Sequence, residues 1–328
     1  MVSWQEIDPA QVTEYCQAYY NRYGEYPSLR DIFYRFVDVL WPNTESVYKR
    51  LSEWLRDQRL NGKVDWELVR DGAGREFEDN EYSYMTPREH VDLWLTLFTE
   101  IGSRYNLPTW LEQPKKVVVV CEKEADYPII KSLVGFGEMN VDTAYARGYS
   151  GWKMLHDIAE SFKESKKEPV IIALADFDPS GGEAAVRTGK DLVSFILKAM
   201  IQLGVENAQV EKVLITKEQI GEFKLPHRPE DEKEIQKLQK DPRYKTWPYG
   251  LYRVETAALR AKAPDYFDKV IKEAVMKHFD QEIHRKVQSE QERGRQRIAR
   301  FFVYNADLID ELRDAVTESE HLGGETDE

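Results

Sequence analysis

Cysteine is scarce: Cys16 and Cys121 are the only two in 328 residues. Two cysteines build neither a disulfide framework nor a zinc set, and they suit a reducing, cytoplasmic setting. No apolar stretch approaches the roughly 20 residues that span a bilayer, so no membrane role is expected. The opening segment, MVSWQEIDPAQVTEYCQ, carries acids and lacks an apolar core, so it does not read as a secretory leader. The histidines at 90, 156, 227, 278, 284 and 321 are scattered without zinc spacing. There is no G-x-x-x-x-G-K-S/T phosphate loop, and Gly148-Tyr149-Ser150-Gly151 is too short to serve as one. Gly135 and Gly137 fall between a helix and a strand, the wrong order for a dinucleotide fingerprint. Positive charge is in deficit, with 46 Lys and Arg against 59 Asp and Glu and a net charge of −13. That argues against nucleic-acid binding by the whole surface but leaves room for a local basic groove. Part of the acidity sits in a tail at 318–328 that reads as frayed.

What is present divides the chain. Asp8-Pro9 opens a helix over 8–22. Ser28, with Asp31 three residues on, caps a helix over 29–40. Thr44 caps a third over 45–60, whose apolar set is Val47, Leu51, Trp54 and Leu55. Asn61-Gly62 is a turn signal, and a short strand is expected at 64–69. Three short helices and a hairpin make a winged-helix pattern, with 45–60 as the recognition helix and Lys49, Arg50, Arg56 and Arg59 as phosphate contacts. An ordinary helical domain with solvated charges is the plainer alternative. Residues 71–86 read as an extended wing or linker, and 87–104 as a helix. Strands then alternate with helices: strands at 117–121, 141–145, 170–175 and 211–215, helices at 125–136, 152–162 and 181–202, and a helix start at 217–220. This alternation implies a parallel sheet with covering helices, an α/β fold. A possible strand at 251–254 and helices at 264–279 and 281–313 complete the reading.

Two acidic clusters each follow an apolar run. Val117-Val118-Val119-Val120 leads into Cys121-Glu122-Lys123-Glu124, and the run at 170–175 leads into Asp176-Phe177-Asp178-Pro179-Ser180-Gly181-Gly182. Ligands sit past the carboxyl ends of parallel strands. Glu122, Asp176 and Asp178 gathered there would repel one another unless a cation offset the charge, which points to Mg²⁺, held partly through waters and phosphates. Glu124 is a less favoured ligand. An Asp-x-Asp that merely caps the following helix is the alternative. Lys123 and Arg147 are candidates for phosphate contact or for simple charge balance.

These motifs resemble a known family. VCEKEADYPII and ADFDPSGG are similar to the Toprim metal motifs of the type IIB topoisomerase (topoisomerase VI) A-subunit and Spo11 group. Ser28-Leu29-Arg30-Asp31-Ile32-Phe33-Tyr34 resembles that group's signature around a nucleophilic tyrosine. The wider stretch is closer still to short Toprim proteins of bacteria, archaea and phages. The resemblance covers about residues 20–260. It implies an N-terminal winged-helix (CAP-like) domain at 1–110, a Toprim domain with a parallel-sheet core at 111–260, a helical C-terminal region at 261–316 and an acidic tail at 317–328. It further implies Tyr34 as nucleophile, Arg30 as its support through charge stabilisation or a lowered tyrosine pKa, and Glu122, Asp176 and Asp178 as ligands of Mg²⁺, with Mn²⁺ as a substitute. Glu255, in a segment similar to a recurrent Glu-x-x-Ala-Leu, is a fourth acidic candidate. The implied partners are double-stranded DNA, a second copy of the chain whose metal site meets each tyrosine, and a separate ATPase B-like subunit. Rival readings are a hydrolytic Toprim nuclease and a noncatalytic DNA-binding or scaffold protein.

Overall fold

The structure, a computed structural model, describes residues 7–70, 100–146, 151–182, 191–227, 239–250 and 252–308, with positions 93, 94, 96, 97, 235, 236 and 311. The chain forms two compact units, Met1–Arg75 with Pro114–Phe279, and Glu76–Gln113 with Asp280–Glu328.

The first unit opens with three helices whose ends follow the capping signals. Asp8 caps α1 (Pro9–Tyr23), and Gly24 ends it in the left-handed region. Ser28 and Asp31 form a reciprocal capping box on α2 (Leu29–Phe36). Thr44 caps α3 (Glu45–Leu60), which buries Val47, Leu51, Trp54 and Leu55. Helix α2 is shorter than the 29–40 expected. Its chain turns after Phe36, where Val37 bridges to Trp41 and the Trp41 indole donates to the Phe33 carbonyl at 3.2 Å. The strand expected at 64–69 is absent. Those residues form turns and bends, and Arg59 donates to the carbonyls of Trp66 and Val69 at 2.6 and 2.5 Å, where strand pairing would have used them. The expected wing at 71–86 lies outside the described residues.

The sheet follows. β1 (Lys115–Cys121) leads through a 3-10 turn (Glu124–Asp126) into α4 (Tyr127–Val134) and then β2 (Asp142–Tyr145). α5 (Trp152–Ser165), β3 (Glu168–Leu174), α6 (Leu192–Gln202), β4 (Gln209–Leu214) and α7 (Lys217–Phe223) come next. The strands are all parallel, in the order β2-β1-β3-β4. Val117–Val120 and Val170–Leu174 are buried throughout, as strands covered on both faces must be. On one face Val118, Val120 and Ile171 join Leu155, Phe162, Ile196 and Met200 of α5 and α6 in a single core. β1 has β2 on one side and β3 on the other, so strand order reverses between β1 and β3. At such a switch point a crevice opens past the strand ends.

α8 (Thr256–Lys262) and α9 (Pro264–Met276) close the unit, with α8 packed on α2. The strand expected at 251–254 reduces to a single antiparallel bridge between Val254 and Phe177. The helix expected from 181 starts at Leu192, capped by Asp191. Residues 183–190 are outside the described set.

In the second unit, α10 (Gln281–Tyr304) is capped by Asp280. The segment 105–113 is bonded to it: Leu107 N–H donates to Gln291 at 2.7 Å and Arg295 donates to the Tyr105 carbonyl at 2.9 Å. Of the expected helix at 87–104, the described part ends in the helical turn Ile101–Arg104. The tail at 317–328 is not described. Among the described residues no helix is long and apolar enough to cross a membrane.

Candidate functional site

β1 and β3 are neighbours, and their ends deliver the acidic residues to one place. Glu122 N–H donates to the Leu174 carbonyl at 2.9 Å, and Asp176 N–H donates to Glu122 Oε2 at 3.2 Å. Burial first, then the charges of Asp178 and Asp176, push the Glu122 carboxyl up to about 8. Asp176 is also raised, by burial above all. Asp178 and Asp176 are therefore close enough for their charges to oppose the ionisation of Glu122.

They are held apart by other partners. Asp176 Oδ2 accepts from Lys123 Nζ at 2.6 Å, and Oδ1 accepts from Thr256 N–H at 2.9 Å. Asp178 Oδ1 caps its own turn, accepting from Ser180 N–H, Ser180 Oγ and Gly181 N–H at 2.8, 2.9 and 2.7 Å. Lys212, on β4, reaches under the turn to the carbonyls of Asp176, Gly181 and Gly182. Burial brings its ammonium down to about 8, against the pull of the carboxylates. Among the described residues no three of His, Cys, Asp and Glu are arranged to hold a metal ion. Carboxylates are donors of the kind a hard divalent cation takes, but here Lys123 is paired with Asp176 and Lys212 with the carbonyls of the turn.

The acidic turn tolerates only glycine at its tight point. A Cβ on Gly181 would lie 2.2 Å from the Asp176 carbonyl oxygen, and Gly182 has φ +73°. Gly181→Ala is expected to lower the unfolding free energy by roughly 1–3 kcal/mol; urea titration reads this, and an unchanged midpoint would show that the turn can relax.

A second constellation joins this one. Tyr34, on α2, is fully buried, and its hydroxyl donates to Glu255 Oε2 at 3.0 Å. Phe177 and Val254 exchange backbone hydrogen bonds, which carries Glu255 alongside the Asp176 turn. Arg30 Nε lies 3.2 Å from Glu255 Oε2, and the Arg30 guanidinium sits 4.2 Å over the Tyr48 ring. Lys123 Nζ lies 3.1 Å from Glu255 Oε1. The ion pair between Lys123 and Asp176 completes a continuous polar path from Tyr34 to Asp176 within one chain. Burial, then the Glu255 charge, holds the Tyr34 phenol well above its usual range. Arg30 lowers it, in the direction expected, without reversing the net rise.

A cavity of about 1150 Å³ opens on this network, lined among others by Arg30, Tyr48, Arg56, Arg59, Lys123 and Glu255. Arg70 and Arg260 line it too, so cations outnumber its acids, Glu25, Glu67, Asp126 and Glu255, despite the acidic total. Arg56 is exposed and paired with Asp57 at 2.8 Å, while Arg59 is committed to the loop carbonyls. Lys49 and Arg50 are exposed on α3 and do not line the cavity. Glu124 is half-buried, and Arg147 lies outside the described residues.

Lys212, Asp126 and Arg260 were not singled out by the sequence. Lys212 lies on a strand of mixed character, Gln209–Leu214, where it is one of two buried residues and carries no signal of its own. Asp126 and Arg260 carry no local signal. Glu255, read only as a fourth acid, is the hub joining Tyr34, Arg30 and Lys123.

The titration of Glu122 has a direct consequence. Its folded pKa is raised from 4.5 to about 8, so the fold binds a proton that the unfolded chain releases. That contribution is present below the unfolded value and is lost as pH rises through the folded one. Stability is expected to fall between about pH 5 and 8, and Glu122→Gln to flatten the fall. Urea unfolding of both proteins across that range checks this; parallel curves would contradict it.

No family model matches the chain, and no curated protein or solved structure matches it significantly.

Proposed function

We propose that the protein is a Mg²⁺-dependent DNA-cleaving enzyme that acts by tyrosine transesterification, with an N-terminal winged-helix unit and a Toprim-like sheet. The carrying observation is the polar path Tyr34–Glu255–Lys123–Asp176, which couples a tyrosine to the carboxylates at a strand switch point. A phosphodiester in the basic cavity would be met by Arg30 and Lys123, whose charge-assisted bonds suit phosphate oxygens. Tyr34 Oη would attack phosphorus, the bond to the 3′-oxygen would break, and a 5′-phosphotyrosyl link would form. Glu122, Asp176 and Asp178 would hold the divalent ion, Mg²⁺ or Mn²⁺, which supplies charge stabilisation at the phosphate. Each chain has one such tyrosine, so a double-strand break takes a homodimer. Cleavage and religation would be the part of this chain, and strand passage driven by ATP would fall to a separate ATPase subunit.

The complete burial of Tyr34 favours a second reading, a hydrolytic nuclease in which the tyrosine only packs. Supercoiled DNA incubated with protein and Mg²⁺, then quenched in denaturant, separates the two. Transesterification leaves protein covalently on the cut ends, whereas hydrolysis leaves free ends. In either case Asp178→Ala and chelation of the ion are expected to reduce cleavage at least about 100-fold. Cleavage that survives both would end the metal-dependent reading.

A further inference from the structure

The network that carries the proposed function also points to the destination of the Tyr34 proton. Tyr34 must lose its proton as its oxygen bonds to phosphorus, yet its phenol is buried. The acceptor of its hydroxyl, at 3.0 Å, is Glu255, whose side chain is 5% exposed and lines the cavity. The hydroxyl thus lies one carboxylate away from the space where a phosphate would sit. Hydrogen-bond contact of this length is the geometric requirement for a general base.

The same carboxylate is flanked by two cations, Arg30 Nε at 3.2 Å and Lys123 Nζ at 3.1 Å. Opposite charge at such distances stabilises a carboxylate and makes it a poor base. A phosphate entering the cavity is a strong competitor for both cations, because guanidinium and ammonium groups form short charge-assisted bonds to phosphate oxygens. Losing Arg30 and Lys123 to the substrate takes two positive charges from beside the buried Glu255 carboxylate, to which Tyr34 still donates, and its basicity rises.

We infer that Glu255 is the general base for Tyr34 in the same chain, and that it is switched on when the substrate phosphate draws Arg30 and Lys123 away from it. This rests on the transesterification reading above. The step balances: the Tyr34 oxygen bonds to phosphorus, the Tyr34 proton passes to Glu255, the bond from phosphorus to the 3′-oxygen breaks, and that oxygen takes a proton from water. Glu255 is then a protonated acid, placed to return the proton to the tyrosine when the 3′-hydroxyl reseals the strand.

The test uses full-length protein, a short DNA duplex with Mg²⁺, and quenched assays of covalent adduct. Four proteins are compared: wild type, Glu255→Gln, and each of these with trifluorotyrosine at position 34, a more acidic phenol that needs less help to ionise. Loss of a general base is expected to slow adduct formation about 10²–10⁴-fold in Glu255→Gln. The fluorinated phenol is expected to restore at least tenfold of that loss while changing the Glu255 protein little. An adduct rate in Glu255→Gln within threefold of wild type would overturn the inference and leave the transesterification reading intact. A loss that the fluorinated phenol does not restore would also overturn it, assigning Glu255 only the placing of Arg30 and Lys123. No adduct from wild-type protein would overturn both the inference and the reading beneath it. Circular dichroism establishes folding. If Glu255→Gln does not fold, Glu255→Asp decides: it keeps the charge and withdraws the carboxylate from the hydroxyl, and the same loss and restoration are expected.

Discussion

Arg260→Met is expected to lower the unfolding free energy of the chain by about 3–5 kcal/mol, the cost of leaving buried charge without its partner. Arg260 is 2% exposed, and its guanidinium is shared between two carboxylates. Nε and Nη2 donate to Asp31 Oδ1 at 2.8 and 2.6 Å, and Nη1 donates to Asp126 Oδ1 at 2.8 Å. The other oxygen of each acid is also engaged: Asp31 Oδ2 accepts from Ser28 N–H and Oγ in the cap of α2, and Asp126 Oδ2 accepts from Thr256 Oγ1 at 2.6 Å. One guanidinium thus ties α2, the turn after β1 and α8 together. Removing it leaves Asp31 and Asp126 buried without their cation, and the fork cannot be copied by lysine, so Arg260→Lys should recover only part of the loss. Burial opposes the ionisation of Asp126, but Arg260 and Lys123 outweigh it and hold the acid below its usual range. Its contribution is present above the unfolded carboxylate pKa and is lost as pH falls through the folded one. Urea unfolding midpoints at neutral pH measure the effect, with the slope checked for constancy. A loss under about 1 kcal/mol would show that the triad is not a clamp.

Tyr34→Phe is expected to abolish the covalent adduct altogether, because phenylalanine has no oxygen to bond to phosphorus. Its effect on stability should be small, about 1 kcal/mol for one hydrogen bond. The ring remains to fill the site beside Phe33, and Glu255 keeps Arg30 and Lys123 as partners. This separation of activity from stability is what distinguishes a nucleophile from a packing residue. Tyr48→Phe is the matched control. Its ring lies under the Arg30 guanidinium, and a phenyl face preserves that contact. Adduct formation should therefore survive in Tyr48→Phe. Equal losses in both variants would point to a disturbed Arg30, and retention in Tyr34→Phe would place the nucleophile elsewhere.

The sequence revealed what is local. The valine and isoleucine runs of β1 and β3, the caps at Asp8, Ser28 and Thr44, and the convergence of Glu122 with Asp176 all follow from residues close in the chain or from strand periodicity. The segment at 64–69 misled because Val64, Leu68 and Val69 are buried as a strand's residues would be, yet Arg59 takes the carbonyls of 66 and 69. Glu255 and Arg260 were illegible in role because their partners are far away: Tyr34 is 221 residues from Glu255, and Asp31 is 229 from Arg260. Arg30, Arg56, Arg59 and Lys123 of the cavity were legible singly but not together, and Arg70 and Arg260 not at all, since the six come from α2, α3, the segment after it, the end of β1 and α8. Net charge concealed them, because it sums over a surface that the cavity does not sample.

The central claim is that Tyr34 becomes joined to DNA, and mapping the adduct tests it most directly. Protein quenched during cleavage of a short duplex in Mg²⁺ would be treated with nuclease and trypsin and read by mass spectrometry. Cleavage after Arg30 and Arg35 releases Asp-Ile-Phe-Tyr-Arg, which contains Tyr34 as its one tyrosine. The account predicts a nucleotide remnant on that peptide, attached through a 5′-phosphate and absent from Asp178→Ala. A remnant on another tyrosine, or cleaved DNA with no modified peptide, would contradict it.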